Sequence, residues 1–359
     1  MLIQWPALFS FLHQNALLLG SRQGSFDVGN APVPEPNSNE VLIRVEAVAL
    51  NPIDWKIQAY GTAVEAYPAV LGSDIAGVVQ EVGLNVTRFE PGDRVITQGV
   101  IGVNDHSGFQ QYTLGYGELT AQIPEWMTFE EAATIPLGLA TASLGLYNAY
   151  SAQTSVGLFP PWEPGGRDHY AGKPFVVFGG STSVGHYVIQ LAKLSGFSPI
   201  ITTASPYNAP ALLALGATHV LDRHLSPNAL RAHIASIANG SIDTVYDAVS
   251  VPETQNLAYD LLAPGGCLVL VLQDAIEEDR KSADKQVVTV GASISQAHNR
   301  DMGVSLYAAL SALLEETEIQ PNSVEVLPCG LTGIPAGLQR LRAGVSNVKL
   351  VAQPQVAQC

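Results

Sequence analysis

This sequence is poor in the residues that build disulfides and metal sites. Its 359 residues hold three cysteines, Cys267, Cys329 and Cys359. They lie far apart, with no disulfide framework and no zinc-knuckle spacing. Three independent thiols in a reducing, cytoplasmic setting are therefore expected. Charge is also scarce. Only 14% of residues are Asp, Glu, Lys or Arg, and 17 basic residues face 32 acidic ones, a net charge of −15. That balance argues against a polyanion-binding surface, so nucleic acid is not an expected partner, although a local pocket for one phosphate remains open. Long hydrophobic runs are missing too. The most apolar long stretch, Ala132 to Tyr150, is interrupted by Thr134, Pro136, Thr141 and Asn148. It reads as a buried helix rather than a membrane span. Met1 to Phe11 lacks a basic start and contains Pro6, so it reads as a short extension and not a signal peptide.

What the chain does have is apolar bulk, 47% of its residues. A chain of this size and composition buries a large core and suits two domains. The first part is β-rich. Glu40–Ala49, Asp74–Val82 and Arg94–Thr97 read as strands, with turns at Asn51-Pro52, Gly83 and Glu90-Pro91-Gly92-Asp93. Many short strands with tight turns suggest a small barrel. Phe129 to Tyr150 reads as helical, and Ser151 to Pro174 as a long surface loop rich in Pro and Gly.

From Lys173 to about Ser295, short apolar strands alternate with helices. The expected strands are Phe175–Phe178, Pro199–Thr203, His219–Leu221, Thr244–Asp247, Cys267–Leu272 and Val287–Val290. Continuous apolar strands separated by helices indicate a parallel sheet covered on both faces, and six of them fit a doubly wound Rossmann fold. The tail adds a helix, Val304–Glu316, and strands at Val324–Leu327 and Lys349–Ala352.

The sharpest local signal is Val177-Phe178-Gly179-Gly180-Ser181-Thr182-Ser183-Val184-Gly185. A buried strand runs through a Gly/Ser turn into a helix, whose first amides can hold a pyrophosphate. The middle glycine of G-x-G-x-x-G is replaced by Thr182. About 20 residues further on, an NAD site usually carries an acid for the ribose 2′-hydroxyl. Here the segment is Thr202-Thr203-Ala204-Ser205-Pro206-Tyr207-Asn208, without one. A carboxylate would repel a 2′-phosphate, whereas hydroxyls and amides can bond it. The reading favours NADPH, with Thr203, Ser205, Pro206, Tyr207 and Asn208 at the cofactor turn and Arg223 after the third strand.

Six segments, in order, resemble those of the medium-chain dehydrogenase/reductase superfamily. They are Asn51-Pro52-Ile53-Asp54-Trp55-Lys56, Gly72-Ser73-Asp74-Ile75-Ala76-Gly77-Val78 and Phe89-Glu90-Pro91-Gly92-Asp93-Arg94-Val95. Then come Gly108-Phe109-Gln110-Gln111-Tyr112, the phosphate loop and Leu262-Ala263-Pro264-Gly265-Gly266. The resemblance implies a GroES-like β-barrel domain over 1–135, a Rossmann domain over 136–300, and a C-terminal segment, 301–359, completing the first. Where zinc alcohol dehydrogenases carry catalytic ligands, this chain has Asn51, Ser73-Asp74 and a position near Leu137. Neutral Asn, Ser and Leu do not make a zinc site, so a zinc-independent enzyme is expected. His106 is expected to be a solvated loop histidine.

Within the superfamily, three features resemble the fungal trans-acting enoyl reductases and their toxin-cluster relatives. These are the turn Thr203-Ala204-Ser205-Pro206-Tyr207-Asn208, the Pro-rich insertion and the ending Val345-Ser346-Asn347-Val348-Lys349-Leu350-Val351. The resemblance implies NADPH-dependent reduction of an activated C=C bond in a polyketide-type thioester, with a polyketide synthase or acyl carrier protein as partner. It also implies cofactor contacts from Ile53, Asp54, Trp55, Lys56, Thr141, Gly180, Ser181, Thr182, Ser183, Val184, Val271, Leu272, Val348 and Lys349. Lys56 and Thr141 are the catalytic candidates. The alternatives are a quinone or enone reductase and a non-catalytic NADPH-binding protein. Monomer and dimer stay open.

Overall fold

The computed structural model describes residues 13–149 and 154–357. The extension expected at Met1–Phe11 and Cys359 lie outside them. The chain divides into two units, 1–137 with 321–359, and 138–320. The second division falls later than the expected boundary at 300. The helix Ala297–Glu315 belongs wholly to the second unit, where its Asn299 is buried and bonds the Gly291 and Ser293 carbonyls.

In the first unit, one sheet runs in the order Val324–Val326, Lys349–Ala352, Glu40–Ala49, Asp74–Val82, Arg94–Gln98, Thr120–Gln122, with Tyr112–Tyr116 also on Glu40–Ala49. A smaller sheet joins Phe26–Pro32, His13–Leu19 and Ala69–Val70. The long strand Glu40–Ala49 is buried along most of its length because neighbours pair on both sides. Its C-terminal end pairs antiparallel with the tail, Val351 opposite Ala49 and Ala352 opposite Val48. The core between these sheets gathers Leu17, Val48, Ile57, Ile75, Phe109, Leu338 and Leu350.

The second unit holds a six-stranded, all-parallel sheet. Its order is His219–Asp222, Ile200–Ala204, Phe175–Phe178, Thr244–Asp247, Cys267–Leu270, Gln286–Thr289. In chain order this is 3-2-1-4-5-6, the doubly wound arrangement. Phe175–Phe178 is fully buried, as four consecutive apolar residues require. Val176, Ile201, Val245 and Leu268 pack against Leu230, Ile234 and Leu257 from the covering helices.

The 129–150 segment is not one helix. Phe129–Ala132 stops, and a second helix starts at Pro136. Proline has no N–H to continue the ladder. Thr134 also turns its hydroxyl back to the Glu131 carbonyl, while its own Oγ1 receives the Asn322 amide. The Pro-rich stretch carries no helix or strand among its described residues, 154–174. It is nevertheless packed, with Tyr170 stacked 4.9 Å from Phe197 and Trp162 bonded to Ser305. No helix among the described residues is long and apolar enough to cross a membrane. The thiols are not all independent: Cys267 is free and buried, whereas Cys329 is engaged in a disulfide.

Candidate active site

The phosphate loop sits where the strand order reverses, between Phe175–Phe178 and Thr244–Asp247. Gly179 turns the chain at φ 77°, a left-handed conformation that favours glycine. Its amide donates to Thr203 Oγ1 at 3.1 Å, and the Gly180 amide donates to the Thr203 carbonyl at 3.0 Å. Thr203 thus holds the loop from the neighbouring strand and is itself buried. Thr182 caps the helix Ser183–Leu194 by accepting the Gly185 amide at 3.0 Å. A Cβ on Gly185 would lie 2.3 Å from the Gly179 carbonyl oxygen, so helix and strand meet at a distance that only glycine permits. This cradle fits a dinucleotide pyrophosphate, with Gly180, Ser181, Thr182, Ser183 and Val184 around the helix start.

At the end of Ile200–Ala204 the chain places Ser205, Pro206, Tyr207 and Asn208. Ser205 and Asn208 are buried, while Tyr207 is exposed. Arg223 is brought to this turn: its Nε donates to Ser205 Oγ at 3.1 Å, and its amide donates to the Ala204 carbonyl. Asp222, on the adjacent strand opposite Ala204, accepts the His224 amide with its Oδ1. The turn therefore offers a guanidinium and a hydroxyl in place of the carboxylate of an NAD site.

Two further elements frame this end of the sheet. Val271 and Leu272 follow the strand Cys267–Leu270. The Val271 amide donates to Ser250 Oγ at 2.9 Å. Asp247 fixes that turn by accepting the Val249 and Ser250 amides and the Thr254 hydroxyl. Burial raises its carboxyl above the ordinary value of 3.8, against these donors. An Asp three residues before a Ser was the sequence signal, and it had no part in the expectation. Thr141 is buried on the helix Pro136–Tyr147, and its carbonyl accepts the Tyr246 hydroxyl at 2.9 Å.

In the first unit, Asn51 opens the helix Pro52–Tyr60, which carries Ile53, Asp54, Trp55 and Lys56. Asp54 is buried and accepts the Asn51 amide at 2.8 Å, one half of a capping box. Burial raises its carboxyl to about 7. Neighbouring Asp74 adds to the rise, while the Asn51 amide and Lys349 oppose it. Lys56 is half-buried, and burial lowers its ammonium from the ordinary 10.5. Its Nζ lies 5.8 Å from the Trp55 ring centroid. Arg342 approaches the same ring at 5.3 Å.

Below that helix lies a group that spacing along the chain does not reveal. Lys349 Nζ is 2.8 Å from Asp74 Oδ2 and donates to Asn51 Oδ1 at 2.6 Å. Asn51 Nδ2 donates to the same Asp74 oxygen at 2.8 Å, and the Leu137 amide donates to Asp74 Oδ1. All three residues are less than 5% exposed. The Lys349 ammonium thus has partners other than the cofactor contact that the resemblance implies; Val348 beside it is half-buried. His106 is a correction. It is buried, stacked 4.6 Å from Tyr116 and bonded to Glu40 at 3.1 Å, because its 3₁₀ turn folds under the sheet strand that carries Glu40.

Residues 37–138 match the alcohol dehydrogenase GroES-like domain, and residues 183–299 match the zinc-binding dehydrogenase family. Dehydrogenase pigH of Monascus ruber is 45% identical over 204 residues, 55% of this chain and 53% of that protein. The chain thus spans about half of that relative. Dehydrogenase azaJ of Aspergillus niger is 34% identical over 267 residues, 72% of each chain. Trans-enoyl reductase himH of Aspergillus japonicus is 34% identical over 272 residues, 73% of this chain and 75% of the relative. Among solved structures, a mycobacterial protein complexed with NADPH superimposes with a TM-score of 0.73 at 23% identity, covering 95% of this chain and 100% of the other. The chain belongs to the medium-chain dehydrogenase/reductase family, with GroES-like and Rossmann-type domains. Its relatives include fungal proteins named trans-enoyl reductase and dehydrogenase.

Proposed function

We propose that this protein is an NADPH-dependent enoyl reductase that reduces the α,β double bond of a polyketide-type thioester in secondary metabolism. The observation that carries the cofactor half is the Arg223–Ser205 bond at the end of the second strand, where an NAD site would present an acid. A guanidinium with a hydroxyl beside it suits a 2′-phosphate. The substrate half is supported by similarity to proteins named trans-enoyl reductase. A carrier-bound substrate makes a polyketide synthase or acyl carrier protein the proposed partner.

The chain's own residues divide the work. The loop from Gly180 to Val184 holds the pyrophosphate, and Thr203 keeps that loop in place. Ser205, Asn208 and Arg223 take the 2′-phosphate end, with Pro206 and Tyr207 shaping the turn. NADPH, when bound, would supply a hydride for the β-carbon of the enoyl group, leaving the substrate's negative charge on the thioester oxygen. Lys56 is assigned to that oxygen: its ammonium donates a hydrogen bond to the enolate, and partial burial strengthens such a contact. Water supplies the proton that Cα takes up. Thr141 is assigned to orienting the reacting groups.

Single-turnover oxidation of NADPH and NADH, with a crotonyl thioester or a quinone as acceptor, tests this reading. The expected result is fast oxidation of NADPH by the thioester, slowed about 100-fold in Lys56→Met, the size expected for loss of one oxyanion donor. Oxidation by the quinone alone would make the protein a quinone reductase. NADPH binding with no acceptor turned over would make it a non-catalytic binder.

A further inference from the structure

The match to a zinc-binding dehydrogenase family implies a metal, so the places that carry its ligands by resemblance can be tested against the side chains around them. They are Asn51, Ser73, Asp74 and the region of Leu137. Asn51 supplies a neutral amide, and its oxygen is already bonded to Lys349. Leu137 supplies a backbone N–H, a donor that no cation accepts. Ser73 is buried, and its hydroxyl has no partner. Asp74 is the one anionic ligand, and its Oδ2 already receives the Lys349 ammonium and the Asn51 amide. Zinc needs three or four deprotonated N, S or O donors. These residues do not fit it, and a divalent ion there would also meet the Lys349 charge at close range.

The ammonium arrives by register. The tail strand pairs Val351 with Ala49 and Ala352 with Val48. Carrying the same alternation two residues further sets Lys349 opposite Asn51, while Ala49 pairs across its other edge with Asp74. Two strands thus bring cation and anion together beneath the start of the helix that carries Lys56.

We propose that Lys349 is an internal cation standing in the metal's place. It neutralises Asp74 and, through Asn51, fixes the start of the Pro52–Tyr60 helix, making Lys349 a positioning residue rather than a cofactor ligand. The link to Lys56 rests on the function proposed above; the rest does not.

The test uses the full chain, Lys349→Met, and Lys349→Met with Asp74→Asn. Protein grown with added zinc is expected to carry far less than one zinc per chain, and stoichiometric zinc overturns the proposal. Lys349→Met leaves the buried Asp74 carboxylate without its countercharge and is expected to melt well below the parent. The double variant removes both charges and is expected to recover most of that loss. A double variant melting lower than the single one overturns the pairing. NADPH titration of the double variant is expected to give a Kd within about threefold of the parent. A rise of tenfold or more, the size of a lost phosphate contact, places Lys349 on the cofactor and overturns the proposal. With the crotonyl thioester, the double variant is expected to lose roughly tenfold in kcat with KM for NADPH unchanged, as misplacement of a reacting group does. Unchanged kcat removes the positioning role. If the parent itself reduces no thioester, the function proposed above fails, while the zinc, melting and NADPH results still decide whether Lys349 is the internal cation.

Discussion

Asp54→Asn probes how strongly burial acts on the helix that carries Lys56. Asp54 is 1% exposed, and the Asn51 and Gly72 amides are its backbone donors. Its carboxyl is raised from 3.8 to about 7, with burial as the largest cause. The folded chain therefore holds a proton that the unfolded chain releases. The stabilisation from that proton is complete below about pH 3.8 and is lost as pH rises through about 7. At 1.36 kcal/mol per pH unit the whole effect is roughly 4 kcal/mol, and about 2.5 kcal/mol of it falls between pH 5 and 8. Asparagine keeps an oxygen for the Asn51 amide and does not titrate. Urea unfolding of parent and variant at matched pH cancels the other titrating groups. The difference between the two is expected to shift in the variant's favour by about 2.5 kcal/mol from pH 5 to pH 8. Parallel pH profiles would show that Asp54 ionises freely in the fold and would refute the reasoning.

Gly185→Ala drives a methyl to 2.3 Å from the Gly179 carbonyl and 2.9 Å from Gly180 Cα, both backbone atoms. A loss of about 1–3 kcal/mol in stability and at least tenfold in NADPH affinity is expected by calorimetry, the scale of an overpacked site. Arg223→Ala is expected to weaken NADPH about tenfold and leave NADH unchanged, since only the former carries the 2′-phosphate; equal losses for both would move the arginine's role away from that group. Burial lowers the His106 pKa from 6.5 despite Glu40 beside it. The stabilisation tied to the neutral ring is present above pH 6.5 and lost as pH falls through the lower folded value. Glu40→Gln keeps an acceptor oxygen for the neutral ring and is thus expected to cost only about 1 kcal/mol at pH 7.5, the difference between a charged and a neutral acceptor, and a loss several times larger in thermal unfolding would mean that the ring is protonated in the pair.

The nucleotide-binding half was legible because its strands are short, largely apolar and separated by helices of plain periodicity. Phe175–Phe178 and Thr244–Asp247 fall where the pattern puts them. The phosphate loop was legible because glycine, serine and threonine cluster between a strand and a helix. Other elements hide for identifiable reasons. The hairpin His13–Leu19 with Phe26–Pro32 carries Gln14, Asn15, Gly29 and Asn30, which blur the alternation of its two strands. The helix from Ala297 begins with the polar run His298-Asn299-Arg300-Asp301, so periodicity finds it only from Val304. The Asn51–Asp74–Lys349 group joins residues 23 and 298 positions apart, and no local pattern links them. Arg223 reaches Ser205 only because the third strand lies beside the second.

The pairing of Lys349–Ala352 with Glu40–Ala49 sets an order of assembly. The ribosome delivers Asn51 and Asp74 long before the segment that covers them, with the whole 138–320 unit synthesised in between. During that interval the nascent barrel carries an uncapped sheet edge and an uncompensated carboxylate, so it waits half-made while the later-born nucleotide unit, whose contacts lie within one continuous stretch, can already close.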